Sequence, residues 1–298
     1  MNVYLSSGGR DQLPGDLIAR WVLRSDLAPV PRTVEFTVRA MEGMKDRLKV
    51  GTSFWTGYEM LEYEVVQAKQ EKLGGAVQGD EQVGAINVTA ALKTCVGVTY
   101  LRERAVVLEN ATLGEVYRSC GGRVAIGDDF NVARFSCLKG QVPTFLIAQA
   151  LQEESAALVL RKERLSVKRL HDLLAQEPVD GIGQTDSTDA SESEFVERHS
   201  IPSFISTNDD GAAVLGDMSV ARGVRFLPRT PERSLRNATR VLVVRRVLDA
   251  DMAQQINAGD VMDLNGERLA VVTAAHMMRA KDGNTETSSR FWLGGMAL

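Results

Sequence analysis

Histidine, cysteine and paired carboxylates carry most acid–base, nucleophilic and metal chemistry, and this chain is sparing with the first two. In 298 residues it holds three histidines, His171, His199 and His276, and three cysteines, Cys95, Cys120 and Cys137. A hydrolytic centre needs a nucleophile, a base and a group that orients the base. His199 lies in a polar stretch that offers no rigid support, and His171 falls on an expected exposed turn. His276 ends an expected strand, where a structural role is the simpler reading. A Cys–His pair is the minor alternative, and no Gly-x-Ser-x-Gly elbow is present. An odd cysteine count without C-x-x-C spacing suits neither a disulfide framework nor a zinc site, so free buried thiols are expected. Asp128-Asp129 and Asp209-Asp210 lack calcium-loop spacing and read as caps or turns. The 39 acidic residues leave a two-carboxylate glycosidase formally open. Gly74-Gly75 to Gly84 and Gly121-Gly122 lack the phosphate-loop lysine, and Gly181-Ile-Gly183 is a bare turn in a polar run. No catalytic residue, metal ligand or cofactor is therefore assigned.

Composition points the same way. Hydrophobic residues make up 44%, charged residues 25%, and the net charge is −4, as in an ordinary globular chain without a basic field for nucleic acid. The local cluster Arg161, Lys162, Arg164, Lys168 and Arg169 alternates with apolar residues and reads as a solvated strand face. No apolar run approaches the ~20 residues that span a bilayer, so no membrane anchor is expected. The first residues show no basic segment followed by an apolar core, which implies synthesis and folding in a cytoplasm.

The elements that would position any site are mostly strands. Val34, Phe36 and Val38 alternate strictly with Glu35 and Thr37. Residues 71–84, rich in glycine and polar side chains, read as a loop, and 86–98 as strand or helix. Thr112, with Glu115 three residues on and Gly121-Gly122 beyond, predicts a capped helix. Pro143 to Leu151 predicts another helix with Leu146, Ile147, Ala150 and Leu151 on one stripe. Residues 157–160 and 164–167 predict a hairpin. Residues 178–200 are too polar to build a core, and 201–235 hold short β pieces. The C-terminal 240–293 alternates strands with tight turns, Asn265-Gly266 among them. The expected class is mainly β with an α+β middle, two small β-barrels flanking the inserts. The expected divisions are an N-terminal barrel at 1–84, a middle domain at 85–177, a linker at 178–235 and a C-terminal barrel at 236–298.

The two ends echo each other. VEFTVR (34–39), Gly51, Gly57 and YEVV (63–66) lie parallel to VLVVRR (241–246), Gly259, Gly266 and LAVV (269–272). With Gly259, strands 261–264 and 269–273, His276, a final strand to Leu293, and Phe145-Leu146 in the middle helix, the chain resembles the baseplate hub proteins of contractile and related phage tails. That family takes in the phage Mu hub, the gpD-type late proteins and the N-terminal part of type VI secretion VgrG spikes. The resemblance implies a homotrimer in the virion, at the tail tip, whose two barrels per chain make a pseudo-sixfold ring. Such a ring adapts a sixfold tail tube or distal tail protein to a threefold central spike, a separate protein, among other baseplate proteins. Assembly edges are expected on the strands carrying Val34, Phe36 and Val38, and Val241, Val243 and Val247, because unpaired strand edges invite pairing with another chain. The alternative is a tail-associated peptidoglycan hydrolase or a carbohydrate-binding β protein.

Overall fold

The computed structural model describes residues 2–78, 81–179, 187–189, 200–281 and 284–297; most of the polar run 178–200 lies outside them. In chain order the first elements are β1 (Val3–Tyr4), β2 (Ile18–Asp26), β3 (Arg32–Arg39), α1 (Met44–Arg47), β4 (Ser53–Thr56), β5 (Leu61–Gln78) and β6 (Glu81–Leu92). The middle holds α2 (Lys93–Val96), β7 (Val106–Thr112), α3 (Leu113–Ser119), β8 (Ala125–Ile126), β9 (Asn131–Cys137), α4 (Pro143–Glu153), β10 (Ala156–Arg161), β11 (Arg164–Arg169) and α5 (Leu170–Leu174). Then come β12 (Ser187–Asp189), β13 (Ser203–Thr207), β14 (Ala213–Leu215), β15 (Val224–Phe226) and α6 (Glu232–Ala238). The chain ends with β16 (Leu242–Ala250), β17 (Val261–Leu264), β18 (Glu267–Lys281) and β19 (Asn284–Met296).

One eleven-stranded sheet runs in the order β1-β4-β5-β6-β3-β2-β18-β19-β16-β12, with β17 also on β18. It takes strands from both ends of the sequence, and the joint between them is the antiparallel pair β2–β18. The mainly β class with an α+β middle holds. The two expected barrels do not appear as closed sheets among the described residues; each is one half of an open path, because β2 spends its outer edge on β18 instead of closing its own module. β6 crosses the expected boundary at 84/85, pairing with β3 and β5.

Local sequence explains the elements. In β3 the alternation buries Val34, Phe36 and Val38 and exposes Glu35 and Arg39. Phe36 meets Phe54 edge-on, and Phe54 stacks on Tyr63, in the N-terminal core. α3 begins with a complete capping box: the Glu115 N–H donates to Thr112 Oγ1 at 3.2 Å and the Thr112 N–H to Glu115 Oε2 at 2.8 Å. α4 starts on Pro143 and buries Ile147, Ala150 and Leu151. The β10–β11 hairpin turns on Lys162 and Glu163, both at positive φ. Two regions differ from expectation. Residues 71–84, read as a loop, contribute to the far part of the long β5–β6 hairpin. Residues 201–238 form a small unit of their own, in which α6 packs Leu235 and Ala238 on Phe204 of the β14-β13-β15 sheet.

Candidate assembly interface

The reactive side chains are built into the framework or left on the surface. His276 is fully buried on β18; Ser289 Oγ lies 2.9 Å from its Nδ1, and Nε2 lies 3.1 Å from the Ile256 carbonyl oxygen. Ser289 Oγ accepts the Ala253 N–H at 2.8 Å. The set is met by Nε2–H donating to the carbonyl and Nδ1 accepting the serine hydroxyl. The imidazole thus pins the 251–260 loop to two strands. Burial pushes its pKa down to about 4, with the Arg32 charge adding to the effect. His171 is exposed, 3.6 Å from Asp172, and His199 lies outside the described residues. All three cysteines are free and buried, and burial raises the Cys95 and Cys120 thiols to about 11, away from the thiolate that nucleophilic chemistry uses. Asp129 accepts the Gly114 and Phe130 N–H groups, and Asp128 pairs with Lys168 at 3.2 Å. Among the described residues no three His, Cys, Asp or Glu side chains gather where they could hold a metal.

What the fold does assemble is a seam. β2 and β18 pair over seven positions, from Thr273 opposite Asp26 to Arg279 opposite Arg20. Trp21, Leu23, His276 and Met278 are buried along it. Side chains reinforce the ladder: Thr273 Oγ1 donates to Asp26 Oδ1 at 2.6 Å, and the Ala258 N–H donates to Ser25 Oγ at 2.9 Å. The Leu27 N–H reaches the Val272 carbonyl at 3.1 Å. The outer face carries a cavity of about 340 Å³ lined by, among others, Arg20, Arg24, Met277, Arg290 and Trp292. Arg24 pairs there with Asp26, and Arg290 with Asp249, both near water and so worth little stability.

On either side of the seam the chain repeats one strand path. β3 pairs with β6, β6 with β5 and β5 with β4; β16 pairs with β19, β19 with β18 and β18 with β17. Both long hairpins carry a bulge at the same place, Val66 in one and Val272 in the other. Just before each bulge the backbone bonds match. The Gly51 N–H donates to Val65 O and the Val65 N–H to Thr52 O; the Gly259 N–H donates to Val271 O and the Val271 N–H to Asp260 O. Gly51 and Gly259 hold φ of +88° and +90°. Leu48 and Ile256, each three residues before its glycine, are both buried. The echo seen in sequence is therefore real at 51–66 and 259–272. Its first strand slips by five positions: the register places Val34 with Arg246, not with Val241.

The expected edge residues divide. Val34, Phe36 and Val38 are not on an edge, because β2 and β6 flank β3 on both sides and its apolar face is core. Val241 precedes β16, its carbonyl accepting the Ala297 N–H at 2.9 Å, while Val243 and Val247 are half-buried on β16. β16 is paired with β19 along its length and with β12 over three positions, Leu248, Val247 and Arg246. Val243 therefore lies on a stretch of β16, Leu242–Val244, that β12 does not cover; other free edges of the large sheet among the described residues are the β5 strand beyond Val65 and the outer side of β12. Sequence reasoning missed the β5 edge, since Lys69, Gln70 and Glu71 are all exposed and carry no apolar alternation.

Ion pairs tie the middle to this sheet. Arg161 donates to Asp260 Oδ1 at 2.7 Å and to the Ala258 carbonyl at 3.1 Å. Glu154, nearly buried at the end of α4, receives Arg233 of α6 at 2.7 Å and Arg169 of β11 at 3.0 Å. Burial alone would raise the Glu154 carboxyl, but the Arg233 and Arg169 bonds and charges hold it below its usual value. Within the basic cluster Arg161 thus clamps the middle to the large sheet and Arg169 bonds within the middle, so the cluster is not merely a solvated face, while Arg233 ties α6 to the same carboxylate.

No protein-family model matches the chain, and no curated protein matches it by sequence. Solved structures do match over nearly its whole length. The tail protein from Neisseria meningitidis MC58 covers 99% of this chain and 95% of its own, at 11% identity and a TM-score of 0.62. The 43 kDa tail protein of prophage MuSo2 from Shewanella oneidensis matches over 98% and 97%, at 12% identity and 0.58. The E. coli c3393 protein, a type VI secretion component with structural similarity to the T4 bacteriophage tail proteins gp27 and gp5, matches over 93% and 73%, at 6% identity and 0.51. The chain has the fold of phage tail proteins, the kind to which its sequence pattern bears a resemblance.

Proposed function

We propose that this chain is a non-catalytic structural subunit of a phage tail, the hub of the baseplate. Three copies form a ring in the virion. The ring meets the sixfold tail tube or distal tail protein on one side and a separate threefold spike on the other, with further baseplate proteins around it. The observation that carries this reading is the repeat: one chain presents two modules with the same strand path, bulge and glycine turn on either side of one seam. Three such chains offer six alike modules while keeping threefold symmetry, which is what a connector between unequal symmetries requires. Head-to-tail contacts of this type close into rings when the rotation per step allows it. The likeness in fold to tail proteins over the whole chain supports the same reading. The function is then mechanical: rigid sheets transmit force between tube and spike, and no bond is made or broken.

Sedimentation equilibrium of the purified chain tests this. The expected species has three times the 32.5 kDa of one chain. A monomer at every concentration, or a chain that clears peptidoglycan in a gel overlay, would contradict it.

A further inference from the structure

The repeat also says where one copy should grip the next. Matching the bulges sets Gln67 with Thr273, Lys69 with Ala275, Gln70 with His276 and Glu71 with Met277. In the C-terminal module the edge 273–279 is covered by β2. In the N-terminal module the equivalent edge of β5 has no partner strand among the described residues. Exposure follows this difference. Ala275 and His276 are buried and Met277 is half-buried, whereas Lys69, Gln70 and Glu71 all face water. The other half of the joint is repeated too. β2 lies against β3 with Trp21 opposite Phe36, Val22 opposite Glu35 and Leu23 opposite Val34. β12 lies against β16 with Ser187 opposite Leu248, Thr188 opposite Val247 and Asp189 opposite Arg246. Since β3 and β16 are equivalent, β12 is the counterpart of β2, and its outer side is also without a partner strand among the described residues.

We propose that neighbouring copies join by antiparallel pairing of β12 of one chain with the β5 edge of the next, repeating between chains the β2–β18 seam within each chain. The occupant of the β5 edge is a second copy of this chain, because the intrachain seam specifies both the strand and its register. Trp21, Val22 and Leu23 lie opposite Met278, Met277 and His276. Carried across the repeat, this sets Ser187 opposite Lys72, Thr188 opposite Glu71 and Asp189 opposite Gln70 of the neighbour. Main-chain bonds of an added strand give affinity without an apolar patch, which suits an edge whose side chains are polar. The charges of Lys69 and Glu71 on that edge act against indiscriminate strand pairing. The joint is head-to-tail and rests on the trimeric reading above for the number of copies that close it.

Disulfide trapping tests the seam apart from the trimer. The double variant Glu71→Cys/Thr188→Cys places two thiols on residues directly opposite in the proposed pairing, where Cβ atoms lie about 4.5–5.5 Å apart, close to what a disulfide spans. The three native cysteines are buried and should stay silent. Mild oxidation should give a ladder of chains at two and three times the monomer mass, absent from either single variant. The shifted pair Lys69→Cys/Thr188→Cys should lose that ladder. A trimer by sedimentation that yields no ladder from the in-register pair, or equal ladders from both pairs, overturns the seam and leaves the hub reading standing. A chain that never self-associates overturns both.

Discussion

Gly51 and Gly259 occupy equivalent turns at nearly the same positive φ, yet their surroundings differ. A Cβ on Gly51 would meet nothing within 4 Å, whereas one on Gly259 would lie 2.7 Å from Val159 Cγ1. Gly51→Ala should therefore cost only the backbone penalty, about 1–2 kcal/mol. Gly259→Ala should cost a further ~1–3 kcal/mol of overpacking, because a β-branched valine has little rotamer freedom to move aside. Urea unfolding of the two variants checks this; equal losses would show that the Val159 contact yields freely. His276 supplies a second prediction at this scale. Its pKa is about 4 folded and ~6.5 unfolded, so the unfolded chain takes up a proton first as pH falls. The neutral ring's contribution is intact above about pH 6.5 and is lost progressively down to about pH 4, roughly 3 kcal/mol in all. Replacement by glutamine should flatten that part of the stability–pH curve relative to the native chain; an unchanged slope would contradict the assignment. The sequence places His276 at the end of a strand, whereas β18 runs on past it to Lys281, and its partners are not legible there at all. Ser289 and Ile256 become neighbours only through the fold.

Elements with one wet and one dry face were legible, and those with two wet faces were not. β3 was read from the alternation of Val34, Phe36 and Val38, α3 from Thr112 and Glu115, and the β17–β18 turn from Asn265-Gly266, both at positive φ in the structure. The far half of the β5–β6 hairpin was read as a loop. Gln70 and Glu71 are exposed on successive positions there, so no period-two apolar signal exists to find. Residues 86–98 read as strand or helix because they are both, β6 to Leu92 and α2 after it. The edge assignment at Val34–Val38 failed for a related reason. Strict alternation marks a strand with one buried face, but it says nothing of whether its hydrogen-bonding sides are taken, and here β2 and β6 take both.

For the whole molecule, the repeat shows in the sequence as turn glycines, Gly51 with Gly259, and a valine pair, 65–66 with 271–272. Short-range turn and bulge chemistry fixes residue types at fixed offsets, so it survives as pattern. The joining of the two modules into one sheet rests on contacts between residues more than two hundred positions apart, such as Thr273 with Asp26, and leaves no such trace. That joint is what makes one chain offer two alike units side by side, and the account of the protein as a ring-forming tail hub depends on it. Electron-microscopy class averages of the purified protein viewed down its symmetry axis test this most directly. The account predicts a closed ring of three chains showing six similar lobes around a central opening. Compact single particles without that ring, or rings whose lobes do not number six, would contradict it.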